Sequence, residues 1–147
     1  MKKLLILAFL AITGCGVMPP KTVFIDGARN QSRENLVTLG EGIRGQGHIT
    51  HIDGKVIFPY GFAEPSMGII LNPGQYSLTM LYYEHGYGYQ KTSEAKITAN
   101  LEAGHSYSPA VKVISQSALQ FHLIDHGKNY PIECLSNSKF HKKPDKC

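Results

Sequence analysis

Apolar and polar positions alternate with a period of two over most of the chain after residue 47. Tyr76, Leu78, Met80 and Tyr82 fall on one face of an extended segment, and Ser77 and Thr79 on the other. Ala95, Ile97, Ala99 and Leu101 alternate with Lys96, Thr98 and Asn100. Val111 and Val113 flank Lys112, and Leu119, Phe121 and Leu123 alternate with Gln120 and His122. Successive side chains of a strand point to opposite faces, so this pattern predicts strands with one face on a core and the other in water. No segment carries the 3.6-residue period of an amphipathic helix. Turn chemistry points the same way. Asn72-Pro73-Gly74-Gln75 reads as a type II turn, since Pro73 presets φ and Gly74 accepts a positive φ. Ile52-Asp53-Gly54-Lys55 predicts a tight hairpin between His48–Ile52 and Val56–Phe58. Glu102-Ala103-Gly104-His105 and Asp125-His126-Gly127-Lys128 punctuate the later strands. Together these features predict an all-β fold over 47–138, a small antiparallel β-sandwich or partly open barrel of about seven to eight strands.

Ahead of this domain, Met1-Lys2-Lys3 precedes an uncharged run from Leu4 to Ile12 and the small pair Thr13-Gly14. That is the layout of an export signal. The apolar run, about nine residues, is under half of the roughly 20 that a spanning helix needs. Ile12-Thr13-Gly14-Cys15 resembles the lipobox of bacterial lipoprotein precursors. The resemblance implies a signal peptide, 1–14, cut between Gly14 and Cys15, with a diacylglyceryl group on the Cys15 thiol and a fatty acid such as palmitate on the new amine. Two or more chains hold a protein to a membrane where one does not. Against it stands the reading of Cys15 as an ordinary thiol in an ordinary secretory signal. Gly16 stands where the family's inner-membrane retention signal has Asp, which implies a lipid-anchored place on the outer membrane, facing the periplasm. Residues 15–46 are polar and Gly-rich, and read as a tether with local order, including a short strand at Thr22–Ile25.

The formal charge of +4 belongs to the ends of the chain. Lys2 and Lys3 leave with the signal, and Lys139, Lys142, Lys143 and Lys146 against Asp145 make 139–147 a basic tail. Such a tail is either solvated or in contact with anionic lipid or polysaccharide. No nucleic-acid-binding motif is present, so nucleic acid is not an expected partner. Cys134 and Cys147 either form one disulfide, as an oxidising compartment favours, or remain free thiols, or pair between chains through Cys147.

The order "LNPGQYSLTMLYYE … AKITANLEAGHSYSPAVKV" is similar to the strand-turn pattern of transthyretin-like and PEGA-like β-sandwich domains. That resemblance implies a fold and an accessory role, not a reaction. Seven histidines raise the question of a metal. His48 and His51, three apart in a strand, point to opposite faces, and His122, Asp125 and His126 lie close at a strand end and turn but the sequence names no further ligands to complete a site with them, so neither a metal nor any other cofactor is expected. Gly-x-Ser-x-Gly, His-Glu-x-x-His and a phosphate loop are missing, Cys134 lacks the context of a nucleophile, and Glu84 and His85 diverge as strand neighbours. The expectation is a protein that is not an enzyme. Tyr82-Tyr83-Glu84-His85-Gly86-Tyr87-Gly88-Tyr89 is the most distinctive stretch. Its tyrosines Tyr83, Tyr87 and Tyr89 read as a contact site at a hairpin tip for an envelope protein or a glycan, because tyrosine offers a flat apolar face and a hydroxyl. The alternative has Tyr82 in the core and the others covering its edge. The functional expectation is a binding or scaffolding module of the cell envelope, joined to the membrane by its N-terminal lipid. The other reading is a lipidated periplasmic inhibitor of a hydrolase such as lysozyme.

Overall fold

A computed structural model describes residues 21–40, 42–43, 47–57, 66–115, 117–135, 145 and 147. Gly14 and Cys15 lie outside the described residues, as do Phe58 and most of the 139–147 tail. Ten strands occur among the described residues: β1 (Lys21–Phe24), β2 (Val37–Leu39), β3 (Gly42–Ile43), β4 (Gly47–Ile52), β5 (Lys55–Val56), β6 (Ser66–Leu71), β7 (Gly74–Gly86), β8 (Tyr89–Leu101), β9 (His105–Ser115) and β10 (Ala118–Lys128). A single turn of helix, α1 (Ile132–Leu135), follows them. The strands form two five-stranded sheets, one ordered β1-β6-β2-β9-β10 and the other β3-β4-β7-β8 with β5 on the outer edge of β4. The fold is a β-sandwich and the sheets do not close into a barrel.

The core is the seam between the sheets. Val37, Leu39, Ile69, Leu71 and Tyr107 come from the first sheet, and Ile49, Ile52, Leu78, Met80 and Leu101 from the second. Burial of each large apolar side chain stabilises by about 1.5–3 kcal/mol, and six of these ten residues are spaced two apart on their strands, as Val37/Leu39, Ile69/Leu71 and Leu78/Met80. The outer face of β6 is also covered. Ile70 packs with Ala28, Leu36 and Ile132, so Ile69, Ile70 and Leu71 are all fully buried and read in sequence as a continuous apolar run.

Part of the expected tether belongs to the domain. Residues 21–40 contribute β1 and β2, and β2 lies between β6 and β9 with Val37, Thr38 and Leu39 all buried. Three residues are too few to show a period, and a strand covered on both faces has no polar alternate positions to reveal it. β1 pairs with β6 in parallel and β2 with β9 in parallel, so the first sheet is mixed, while every pair in the second sheet is antiparallel. The Asp53-Gly54 hairpin has φ of 50° and 76°, both positive as a type I′ turn requires. Gly74 instead has φ of 151°, far from the roughly 80° of a type II turn. Asn72-Pro73 is a corner that carries the chain from β6 in one sheet to β7 in the other. Asp125–Lys128 does not end a strand; it is a bulge within β10, opposite Tyr107 and His105, with Gly127 at φ 79°. A second bulge between Ile49 and His51 changes the phase of β4. His48 and His51 consequently pair with Leu81 and Thr79, two same-face positions of β7, instead of facing opposite ways.

Candidate functional site in two projecting hairpins

Two hairpins run past the end of the sandwich. β7 and β8 pair without interruption from Gly74↔Leu101 to Gly86↔Tyr89, but the pairing of β4 with β7 reaches only His48↔Leu81. β9 and β10 pair as far as Ser115↔Ala118, while β2 accompanies β9 only to Tyr107. The hairpins leave together. The Leu101–His105 turn joins β8 to the start of β9, with the His105 N–H donating to the Glu102 carbonyl at 3.2 Å. Further along, β4 and β9 still touch, because a methyl group on Gly47 would stand 2.6 Å from Val111 Cγ2. Beyond that level β7 continues from Leu81 to Gly86 and β9 from Val111 to Ser115. At about 3.3 Å per residue these are extensions of roughly 17 and 13 Å, and both tips lie at the same end of the molecule.

The tip of the first hairpin is the two-residue turn Tyr87-Gly88, with Gly88 at φ 81°. Tyr82, Glu84 and Gly86 share the inner face of β7, and Tyr89 stands directly opposite Gly86. One carboxylate ties them: Glu84 accepts hydrogen bonds from the Tyr82 hydroxyl at 2.9 Å and the Tyr89 hydroxyl at 3.2 Å. The Tyr89 ring lies flat across Gly86, leaving no room for a β-carbon there. The hydrogen bond to Glu84, with burial and charge adding to it, raises the Tyr82 pKa above the ordinary phenol value. The Glu84 charge is the main cause of the same shift at Tyr89. Both phenols therefore stay neutral and keep donating at neutral pH.

The three tyrosines expected as one contact site are not side by side. Tyr87 is fully exposed at the tip and Tyr89 is 54% exposed on the inner face. Tyr83 is half-buried and faces the other way, opposite Thr92. Tyr82 is buried at 5% exposure, as an extension of the core. The structure gives roles that sequence reasoning did not assign. Glu84 is the link between two rings, a role invisible until β8 folds back. Val113 and Ile114, on the companion hairpin, are 58% and 57% exposed. Val113 has the spacing of a core position, but β9 is longer than the layer opposite it.

Away from the tips, His105 lies between two carboxylates. Its Nδ1 is 3.0 Å from Asp125 Oδ2 and its Nε2 is 3.7 Å from Glu102 Oε2. Burial pulls the Asp125 pKa up, but the Gly127 N–H and the His105 imidazole outweigh it, and the carboxyl titrates below its ordinary value. Asp125 therefore joins His105 on the inner face, whereas His126 meets Ser108 at 2.8 Å on the outer one, so His122, Asp125 and His126 do not converge. Among the described residues no group of three His, Cys, Asp or Glu is arranged to hold a metal ion. A polar hollow of about 240 Å³ opens near the start of β9, between Arg33, Thr38, Ser106 and Tyr130. It is smaller than the roughly 300–1,000 Å³ of ordinary ligand pockets. Cys134 and Cys147 are joined as a disulfide with a Cα–Cα distance of 5.5 Å, fastening the chain end to α1. No protein-family model, no curated protein and no solved structure matches the chain.

Proposed function

We propose that the protein is a lipoprotein anchored through Cys15 to the periplasmic face of the outer membrane, and that its sandwich acts as a non-catalytic binding or scaffolding module of the envelope. The observation that carries the binding role is the β7–β8 hairpin. Thirteen paired positions hold its two strands together, and Glu84 accepts a hydrogen bond that fixes the Tyr89 ring, so an exposed aromatic tip is presented at little entropic cost on contact. The N-terminal lipobox pattern supports the anchor. A photo-crosslinking residue at Tyr87 in intact cells tests the contact role. It should capture an envelope component that the same residue at Phe24 does not, and equal capture at both positions would rule out recognition by the tip. Fatty-acid labelling that disappears in Cys15→Ser tests the anchor, and labelling that persists would refute it. The inhibitor reading is favoured only by the narrow width of the Tyr87-Gly88 tip, which suits insertion into an enzyme cleft. Inhibition of lysozyme in a turbidity assay would select it.

A further inference from the structure

The strand registers locate where the N-terminal chain enters the domain. β1 runs parallel to β6, β6 antiparallel to β2, and β2 parallel to β9, so β1 begins at the end where β9 finishes. Lys21 pairs with Ser66. Ile69 is level with Leu39, and Leu39 with Tyr107. Three residues toward the tips from that level, Lys21 stands near the height of Ala110. The end of β9 at Ser115 lies five residues further on, a distance of roughly 17 Å. Cys15 precedes Lys21 by six residues, whose fully extended reach is about 21 Å. The longest reach of the connecting chain is thus close to the projection of the hairpins.

We propose that the tips of the β7–β8 and β9–β10 hairpins dock on the phospholipid surface in which the Cys15 lipid is embedded, holding the sandwich upright on the membrane. The proposal rests on the lipid anchor and names the bilayer interface as the component that the tip contacts. A chain of this length keeps the tips within reach of the headgroup layer. The side chains suit that layer: Tyr87 and Tyr89 combine a ring with a hydroxyl, the character of residues enriched at membrane interfaces. Val113 and Ile114 add aliphatic surface that is exposed at the same end. Exposed Lys112 between them and the body places a positive charge where anionic headgroups would lie. The end that carries Asp53-Gly54, the Leu101–His105 turn and the polar hollow then faces the periplasm.

The chain contains no tryptophan, so Tyr87→Trp and Phe24→Trp each create a single fluorescent reporter. Phe24 pairs with Ile70, far from the tips. Each full-length variant, checked for its fatty-acid label, is reconstituted into vesicles of phosphatidylethanolamine and phosphatidylglycerol with and without lipid brominated near the headgroup. Docking predicts that Tyr87→Trp shifts to the blue and loses most of its emission to the brominated lipid, while Phe24→Trp keeps its emission. Adding Val113→Asn and Ile114→Asn to Tyr87→Trp should weaken the quenching, and unchanged quenching would overturn the two-tip platform. Labelled protein in which neither reporter is quenched, or both equally, overturns docking and leaves the anchor intact. Emission of Tyr87→Trp that responds to an isolated envelope protein or glycan but not to vesicles overturns the choice of lipid. Protein without a fatty-acid label removes the anchor, and the reach argument falls with it.

Discussion

The two halves of β7 obey the same alternation and do opposite things. From Gly74 to Met80 the inner positions Leu78 and Met80 are fully buried between sheets. From Tyr82 to Gly86 the inner positions become a tyrosine, a glutamate and a glycine, with Glu84 accepting from both Tyr82 and Tyr89 and the Tyr89 ring covering Gly86. The difference is what lies opposite. Where β2, β6 and β9 face the strand, apolar area leaves water and packing decides the residue. Where the hairpin runs alone, cross-strand pairs must hold it. A two-stranded ribbon is marginal by itself, so a carboxylate shared by two phenols and a ring laid over a glycine replace a second layer.

Truncation should divide the two regions most sharply. Leu78→Ala in the body is expected to cost about 2–5 kcal/mol in a urea titration, whereas Val113→Ala on the ribbon should stay within about 0.5 kcal/mol. A similar loss at both sites would mean that the ribbon is covered. Replacing both Cys134 and Cys147 by Ser should cost at most about 3 kcal/mol, since the bridge closes a short loop. Hydrogen exchange should rise at α1 and β6 and not at Tyr87; a rise at the tip would show that the regions are coupled. Gly47→Val should destabilise by roughly 1–3 kcal/mol, because Gly47 has φ of 90° and any β-carbon collides with Val111. Unchanged stability would contradict the close approach of β4 to β9.

Acid should act on the body through Asp125. Its folded pKa lies below the unfolded value, so its stabilisation is complete above the unfolded pKa and is lost as pH falls through the lower, folded one. The side chain is 45% exposed, and solvent screening keeps the effect under about 1 kcal/mol. The urea midpoint should fall between about pH 5 and pH 3 and fall less in Asp125→Asn; identical slopes would remove the His105 contact from the account. The smallest effect belongs to the tip. Tyr87 is fully exposed at the turn, so Tyr87→Ser should alter stability by no more than about 0.5 kcal/mol while weakening capture at the contact surface. A large drop in melting temperature with capture intact would make this ring packing, not recognition.

The strands that were legible are those with one wet face. β7 and β8 and most of β10 follow their alternation residue by residue, and Asp53-Gly54 is a hairpin because two positive φ values need such residues. β2 and β6 were hidden or ambiguous, since burial on both faces erases the period. Bulges were hidden as well: one extra residue at Thr50 or Gly127 costs nothing in local pattern, yet it decides which histidines share a face. In the candidate site, the exposed Tyr87 and half-exposed Tyr89 stood out by composition. Tyr83 was grouped with them by proximity in the chain, but its position in the strand turns it to the opposite face.

Local chemistry along the chain specifies extended segments, tight turns and the positions that must leave water, because these depend on neighbours one to four residues away. Sheet partners are another matter. That β1 and β2 join in parallel to strands far along the chain, that β7 and β9 start together and outrun the layers beside them, and that Glu84 meets both Tyr82 and Tyr89 all depend on long-range register. Register is settled by the competition among all strands for one buried seam, a property of the assembled sandwich and of no segment alone.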